Sequence, residues 1–194
     1  MNAFFFLLFA FSVTLFASSD GDWNAIVALD AGPEAKPKNV VEARQFGKAH
    51  FAKHRRLIEE FIKKNPTDPR IFDARMRLAG ILAATGKMEK KQNLVDDAMR
   101  MLQGLEKDKS FPLNKRADAG FRRVSLYLQC LDSRENDSRD DIVNAARNFQ
   151  SRYPSDRRTP RLLVEVATVC DNAPDLKRKL LDAALASSPD DSLK

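Results

Sequence analysis

The sequence predicts an all-α protein in which antiparallel helical hairpins stack as a short α-solenoid of about seven helices. Three observations support this fold class. Only seven of the 194 residues are Gly and 31% are charged, a composition that favours helices over a Gly-punctuated β-sandwich or barrel. Apolar residues recur at helical spacing over most of residues 40–190. One pattern of helix, turn and hairpin occurs twice, 88 residues apart.

The chain begins with an apolar segment that is typical of a secretory signal peptide, predicted over residues 1–19. These residues carry no charge and hold six of the thirteen Phe, and acids follow from Asp20. Cleavage is predicted after Ser19 or after Ala17. Because no Lys or Arg precedes the apolar run, an uncleaved N-terminal membrane anchor and a buried helix are the alternatives. We expect an exported protein, periplasmic or secreted, with no membrane span in the mature chain.

Residues 20–39 are predicted as a flexible linker, because two Gly and two Pro interrupt them and they hold one apolar patch at residues 23–29. The first long helix is predicted from Val40 to Lys64. It ends there because the residue before Pro66 avoids the helical region. Six large apolar side chains share one face of this helix, so it must pack on another element.

Six further helices are expected to complete a helical domain over residues 40–190. The first of them opens at residues 67–69 with a capping Asp and a Pro, and is predicted to stop at Gly86, a residue suited to a left-handed C-cap. Apolar periodicity predicts the others at residues 88–105, 115–131, 141–153, 159–170 and 174–186.

The most specific signal is the internal repeat. Residues 61–68 and 149–156 match with Phe, Pro and Asp identical, and at the same offset Leu78 meets Val166. Helical pairs of this kind do not bury their apolar faces alone, so they stack on one another.

These residues resemble the tetratricopeptide-like (TPR-like) repeats, especially the secreted bacterial branch that has Phe-x3-Tyr-Pro-x-Ser/Asp between helices. Six residues of the first copy fall at packing positions of the pattern: Leu78, Ala79, Leu82, Gly86, Val95 and Ala98. Arg75, Lys91 and Gln103 depart from it. The resemblance covers about residues 45–190. Within the family, the chain is similar to the periplasmic repeat proteins that act in outer-membrane assembly or envelope coordination.

The resemblance implies a non-enzymatic scaffold that mediates protein–protein interaction in the cell envelope. The alternative is an accessory helical module of an envelope thiol-oxidoreductase or other enzyme. In this family the first helix of each hairpin lines a concave surface that binds partners. The matching residues here are Asp73, Met76, Gly80, Ala83 and Ala84 from the first copy, and Arg161, Val164, Thr168, Asp171 and Asn172 from the second. The first set suits an inserted helix or peptide, unless the chain's own first helix fills it.

Patterns that carry chemistry are scarce. The sequence has no Cys-x-x-Cys, no Gly-rich phosphate loop and no Gly-x-Ser-x-Gly, so we predict no catalytic residues and no cofactor. His50 and His54 have the spacing of a metal pair, but their place on the apolar face favours packing, and no metal site is predicted. Cys130 and Cys170 form a disulfide in an oxidising compartment or remain two buried thiols.

The formal net charge of +6 is concentrated in residues 36–64. A solvated helix face is the predicted role of these basic residues, and contact with an anionic envelope surface is the alternative. No nucleic-acid partner is predicted, because the basic residues lack the interleaved aromatic side chains of such interfaces.

Overall fold

The computed structural model describes residues 19–33, 36–130 and 138–187. Every regular element in these ranges is a helix, so the predicted all-α helical-repeat class is confirmed. None of the described helices is long and apolar enough to cross a membrane. Nearly all of the predicted signal peptide, residues 1–18, lies outside the described residues.

Eight helices lie in the described residues. Helix α1 is described from residue 19 to residue 28 and continues into a 3-10 turn at Leu29–Ala31. The other helices are α2 (Val40–Lys64), α3 (Ile71–Glu89), α4 (Gln92–Lys107), α5 (Leu113–Gln129), α6 (Ser138–Arg152), α7 (Thr159–Thr168) and α8 (Pro174–Ala186). The bounds predicted for α2 and α8 agree with the structure to the residue.

The chain divides into two compact units, here called unit 1 (Met1–Met101) and unit 2 (Leu102–Lys194). The division falls inside α4, within the stretch that the sequence analysis treats as one helical domain. In unit 1, α2 packs along α3. In unit 2, α6 packs on both α5 and α7, and α8 packs along α7. The core of unit 2 is centred on fully buried side chains of α6 and α7, among them Ile142, Phe149 and Leu162.

The prediction of a flexible linker is wrong for residues 20–28, which belong to α1. Ile26 is fully buried, and the centroid of the Trp23 ring lies 5.4 Å from that of Phe61 on α2. The apolar patch in this segment is too short to signal a helix by its period. Helix α1 is stabilised by its packing against α2, because short helices depend on tertiary contacts for their stability.

Helix α3 passes through Gly86, its predicted end, and stops three residues later at Glu89. The left-handed residue is Lys90, with φ of 56°. Gly86 instead allows the start of α4 to approach α3 closely, because a Cβ there would lie 2.8 Å from Cγ2 of Val95 and 2.9 Å from the carbonyl oxygen of Lys91. The glycine thus lets α4 pack directly against α3.

The turn before α3 delays the start of that helix by two residues relative to the predicted Pro69. The Asp68 carboxylate accepts a hydrogen bond from the backbone N–H of Arg70, so this Asx turn replaces a first helical turn. The N–H of Ile71 then donates to the Asp68 carbonyl. The turn before α7 has the same two bonds, from Arg158 to the Asp156 carboxylate and from Thr159 to the Asp156 carbonyl.

Candidate functional site

One arginine joins the turn before α3 to α1. Arg70 donates from Nε to Oδ1 of Asp68 at 2.8 Å and from Nη2 to Oδ2 at 2.7 Å. Its Nη1 donates to Asp20 of α1 at 2.7 Å. The guanidinium carbon also lies 5.6 Å from the centroid of the Trp23 ring and 5.7 Å from that of Phe61, within cation–π distance.

Unit 2 repeats this arrangement. Arg158 donates from Nε to Oδ1 of Asp156 at 2.9 Å and from Nη2 to Oδ2 at 2.6 Å. Its Nη1 donates to Asp118 of α5 at 2.7 Å. The guanidinium carbon lies 4.8 Å from the centroid of Phe121, whose ring contacts Phe149 of α6. We call the two groups the arginine clusters of unit 1 and unit 2.

Helix α1 is therefore the counterpart of α5, an equivalence that the sequence analysis missed. Three pairs match at an offset of 98 residues: Asp20 with Asp118, Trp23 with Phe121, and Ile26 with Val124. The offset differs from 88 because α2 has 25 residues and α6 has 15. The signal that could have found the match is Asp-x2-aromatic-x2-Ile/Val, which occurs in both helices.

In each arginine cluster, the arginine and the carboxylates that it contacts stabilise one another's charged forms. Hydrogen bonds from Arg70 lower the pKa of Asp68 to about 2. Hydrogen bonds from Arg158 likewise lower the pKa of Asp156, and each arginine has its own pKa raised by the carboxylates beside it. Charge-assisted, bidentate pairs of this type hold geometry. The two arginines thus attach α1 and α5 to the turns before α3 and α7.

A second ionic network belongs to unit 2. Glu106 near the end of α4 is buried and accepts hydrogen bonds from Nε of Arg123 at 2.9 Å and Nη1 of Arg152 at 3.0 Å. Gly120 leaves room for it, because a Cβ there would lie 3.1 Å from the Glu106 carboxyl carbon. Glu106 thus ties the end of α4 to α5 and α6.

The predicted partner surface is covered in unit 1. Ala83 is buried, and Asp73, Met76, Gly80 and Ala84 are each partly buried. No residue of α3 from Ile71 to Gly86 is exposed. None of these five residues is exposed, whereas four of their five counterparts in unit 2 are.

The predicted surface of unit 2 is open. Arg161 and Thr168 of α7 are exposed, as are Asp171 and Asn172 beyond its end, and Val164 is half-buried between them. Arg161 pairs with Glu165 at 2.8 Å, and Lys177 pairs with Asp171 at 2.6 Å. Thr168 donates its hydroxyl to the Glu165 carbonyl. We call Arg161, Val164, Thr168, Asp171 and Asn172 the α7 face.

The two histidines differ in burial. His50 is half-buried, whereas His54 is 5% exposed, and their ring centroids lie 6.0 Å apart. Nε2 of His54 lies 3.8 Å from Oδ1 of Asp30 and makes no hydrogen bond with any described residue. Across the described ranges, no three His, Cys, Asp or Glu residues are grouped closely enough to hold a metal ion.

Cys130 and Cys170 are both buried. The Cys170 thiol contacts the carbonyl of Val166 at 3.4 Å within the unit 2 core.

Comparison with known proteins yields no relatives: no protein-family model, curated protein or solved structure has a significant match to this chain.

Proposed function

We propose that the protein is a non-enzymatic, TPR-like helical-repeat scaffold that binds another protein through the α7 face. The observation that carries this proposal is the difference between α3 and α7. Residues of α3 at the positions expected to bind partners are covered, whereas Arg161 and Thr168 are exposed at the matching positions of α7.

The chemistry of the α7 face suits a polar partner segment. It offers the guanidinium of Arg161, the carboxylate of Asp171 and the side-chain amide of Asn172, with the half-buried Val164 between them. Polar groups of both signs around a small apolar centre are typical of surfaces that bind extended peptides or helices.

The cell envelope is the proposed location. The support is the uncharged, Phe-rich segment at residues 1–19, which is typical of a signal for export. The basic residues of α2 offer an additional attraction to anionic envelope surfaces, and this attraction weakens as salt is raised.

The test is affinity capture from an envelope fraction with matched baits. The wild-type chain is compared with an Arg161→Ala/Asn172→Ala variant and with a matched control, Arg147→Ala/Asn148→Ala, whose substitutions lie on the exposed side of α6. We expect a protein that wild type and control retain and the α7 variant loses, with direct binding then measured calorimetrically. Recovery of no protein, or equal recovery by all three baits, would contradict the proposal. A thiol-oxidoreductase among the captured proteins would favour the accessory-module function instead.

A further inference from the structure

His54 is a buried ionisable group enclosed by other charged and polar groups of unit 1. Asp30 approaches it from the turn after α1, Arg77 from α3, and His50 from the preceding turn of α2. One ring nitrogen donates a hydrogen bond to the backbone carbonyl of Ile26 in α1. The other, Nε2, is buried and has no hydrogen-bond partner among the described residues.

The Asp30 carboxylate lies too far from Nε2 of His54 to accept a hydrogen bond from it. Its nearer oxygen lies 3.8 Å away, beyond hydrogen-bond range. Its other oxygen accepts a hydrogen bond from Nη2 of Arg77 at 2.8 Å. The contacts in this arrangement therefore suit a neutral His54 ring, whose unprotonated Nε2 needs no acceptor.

The corresponding positions in unit 2 hold neither a His nor an Asp, and Arg77 matches Glu165, which pairs with Arg161. At the repeat offset of 88, His54 matches Ile142, which is fully buried in the unit 2 core. At the α1–α5 offset of 98, Asp30 matches Leu128. An apolar residue is thus sufficient for packing at the position of His54, and the His–Asp pair is peculiar to unit 1.

We propose that His54 is a pH sensor whose protonation releases α1 from α2 and α3. A proton on Nε2 creates a buried donor and a buried charge with no acceptor in range, and both are costly. For Asp30 to pair with the imidazolium, its Oδ1 must move closer to Nε2, and the turn that ends α1 must shift while its bonds to Arg77 are rearranged. Either response weakens the attachment of α1.

The direction of the pH effect follows from the environment of His54. Burial lowers its pKa below the ordinary value of 6.5, and the neighbouring His50 and Arg77 lower it further, against the opposing effect of Asp30. The unfolded or released state therefore binds the proton more readily. The stabilising contribution of neutral His54 is complete above pH 6.5 and is lost as the pH falls from 6.5 towards the folded-state pKa. Mild acid is thus the releasing condition.

The fluorescence of Trp23 can show whether α1 is attached to α2 and α3. It is the only Trp in the chain, and its ring lies 5.4 Å from Phe61 and 4.9 Å from the Arg77 guanidinium. Its fluorescence is recorded on the full chain from about pH 7.5 to about pH 5.5, an interval in which histidine titrates and ordinary carboxylates remain ionised. We expect a red shift and greater quenching by acrylamide at the acidic end, while far-UV circular dichroism stays strongly helical.

The decisive variant is His54→Ile, which introduces the residue that unit 2 has at this position. We expect Trp23 in this variant to remain protected over the whole interval. His54→Gln, which cannot titrate, is the second variant if circular dichroism shows that His54→Ile does not fold. The matched control is His50→Gln, which keeps the sensor and should retain the transition at a higher pH, because a neighbour that lowers the pKa of His54 has been removed.

Two results would overturn the proposal. One is a wild-type chain whose Trp23 emission and quenching do not change between the two pH values. The other is an acid transition that persists at the same midpoint in the folded His54→Ile or His54→Gln variant, which would assign it to other groups.

Discussion

Arg158 lies over Phe121, with its guanidinium carbon 4.8 Å from the ring centroid, in the relationship that Arg70 has to Trp23 in the other half of the chain. In each unit the arginine forms a bidentate pair with the Asp two residues earlier and also pairs with an Asp two helices earlier, on α1 or α5. Each unit thus uses one side chain to fasten a turn, an aromatic ring and a helix together.

Removing either arginine should destabilise its unit. We expect Arg70→Ala and Arg158→Ala each to lower the free energy of unfolding by about 1–3 kcal/mol, because charge-assisted hydrogen bonds to a mostly buried carboxylate are lost. Chemical denaturation measures the change. Arg161→Ala is the control, since its exposed pair with Glu165 contributes less than about 0.5 kcal/mol. If Arg158→Ala and Arg161→Ala lowered the free energy of unfolding equally, the arginine clusters would not stabilise their units.

The equivalence of α1 and α5 predicts matched effects in their buried residues. Ile26 and Val124 are both fully buried. We expect Ile26→Ala to cost about 2–4 kcal/mol in the free energy of unfolding and Val124→Ala a similar or slightly smaller amount, because each leaves a cavity. Val27→Ala, at a position 40% exposed, should change it little. If Ile26→Ala behaved like Val27→Ala in denaturant unfolding, α1 would not be part of the unit 1 core.

Two glycines should respond to alanine in opposite directions. Gly86→Ala places a methyl group 2.8 Å from Val95, so α3 and α4 must move apart at an expected cost of about 1–3 kcal/mol. Gly104 lies inside α4, and apart from its own stretch of helix no described atom lies within 4 Å of the point that a Cβ would occupy, so Gly104→Ala should stabilise by about 0.5–1 kcal/mol. Thermal melting of the two variants and wild type checks the signs. A Gly86→Ala protein that melts above wild type would rule out the close approach.

The Asp68–Arg70 pair predicts a loss of stability in strong acid. The pKa of Asp68 is lowered from 3.8 to about 2 by the hydrogen bonds from Arg70. An unfolded chain therefore takes up this proton first as the pH falls. The stability that Asp68 supplies is present above about pH 3.8 and lost on the way down to about pH 2.

The measurement is denaturant unfolding across that interval for wild type and Asp68→Asn. We expect a shallower pH dependence in Asp68→Asn, with lower stability at neutral pH because the bidentate pair is gone. Identical slopes for the two proteins would indicate that the paired carboxylate does not have a depressed pKa in the folded state.

The helices were predictable from sequence to the extent that local signals define them. Pro66 ends α2 and Pro174 begins α8, and both helices have the predicted bounds. Helix α1 was missed because its ten described residues bury only Ser19 and Ile26, too few for a periodic pattern. The partner surface was predicted for both units, yet the unit 1 half is covered, since burial depends on packing that a repeat pattern does not encode.

Local patterns in the sequence were enough to predict the all-α class, the order of seven helices and the repeat of helix, turn and hairpin. These features depend on periodicity and on residues such as Pro that act on their neighbours in the chain. Helix packing was needed to see that α1 belongs to the repeat, that Gly86 allows contact with Val95, and that His54 occupies the position that Ile142 has in unit 2. Each of these features depends on atoms that separate helices bring together, and local patterns along the chain do not encode such contacts.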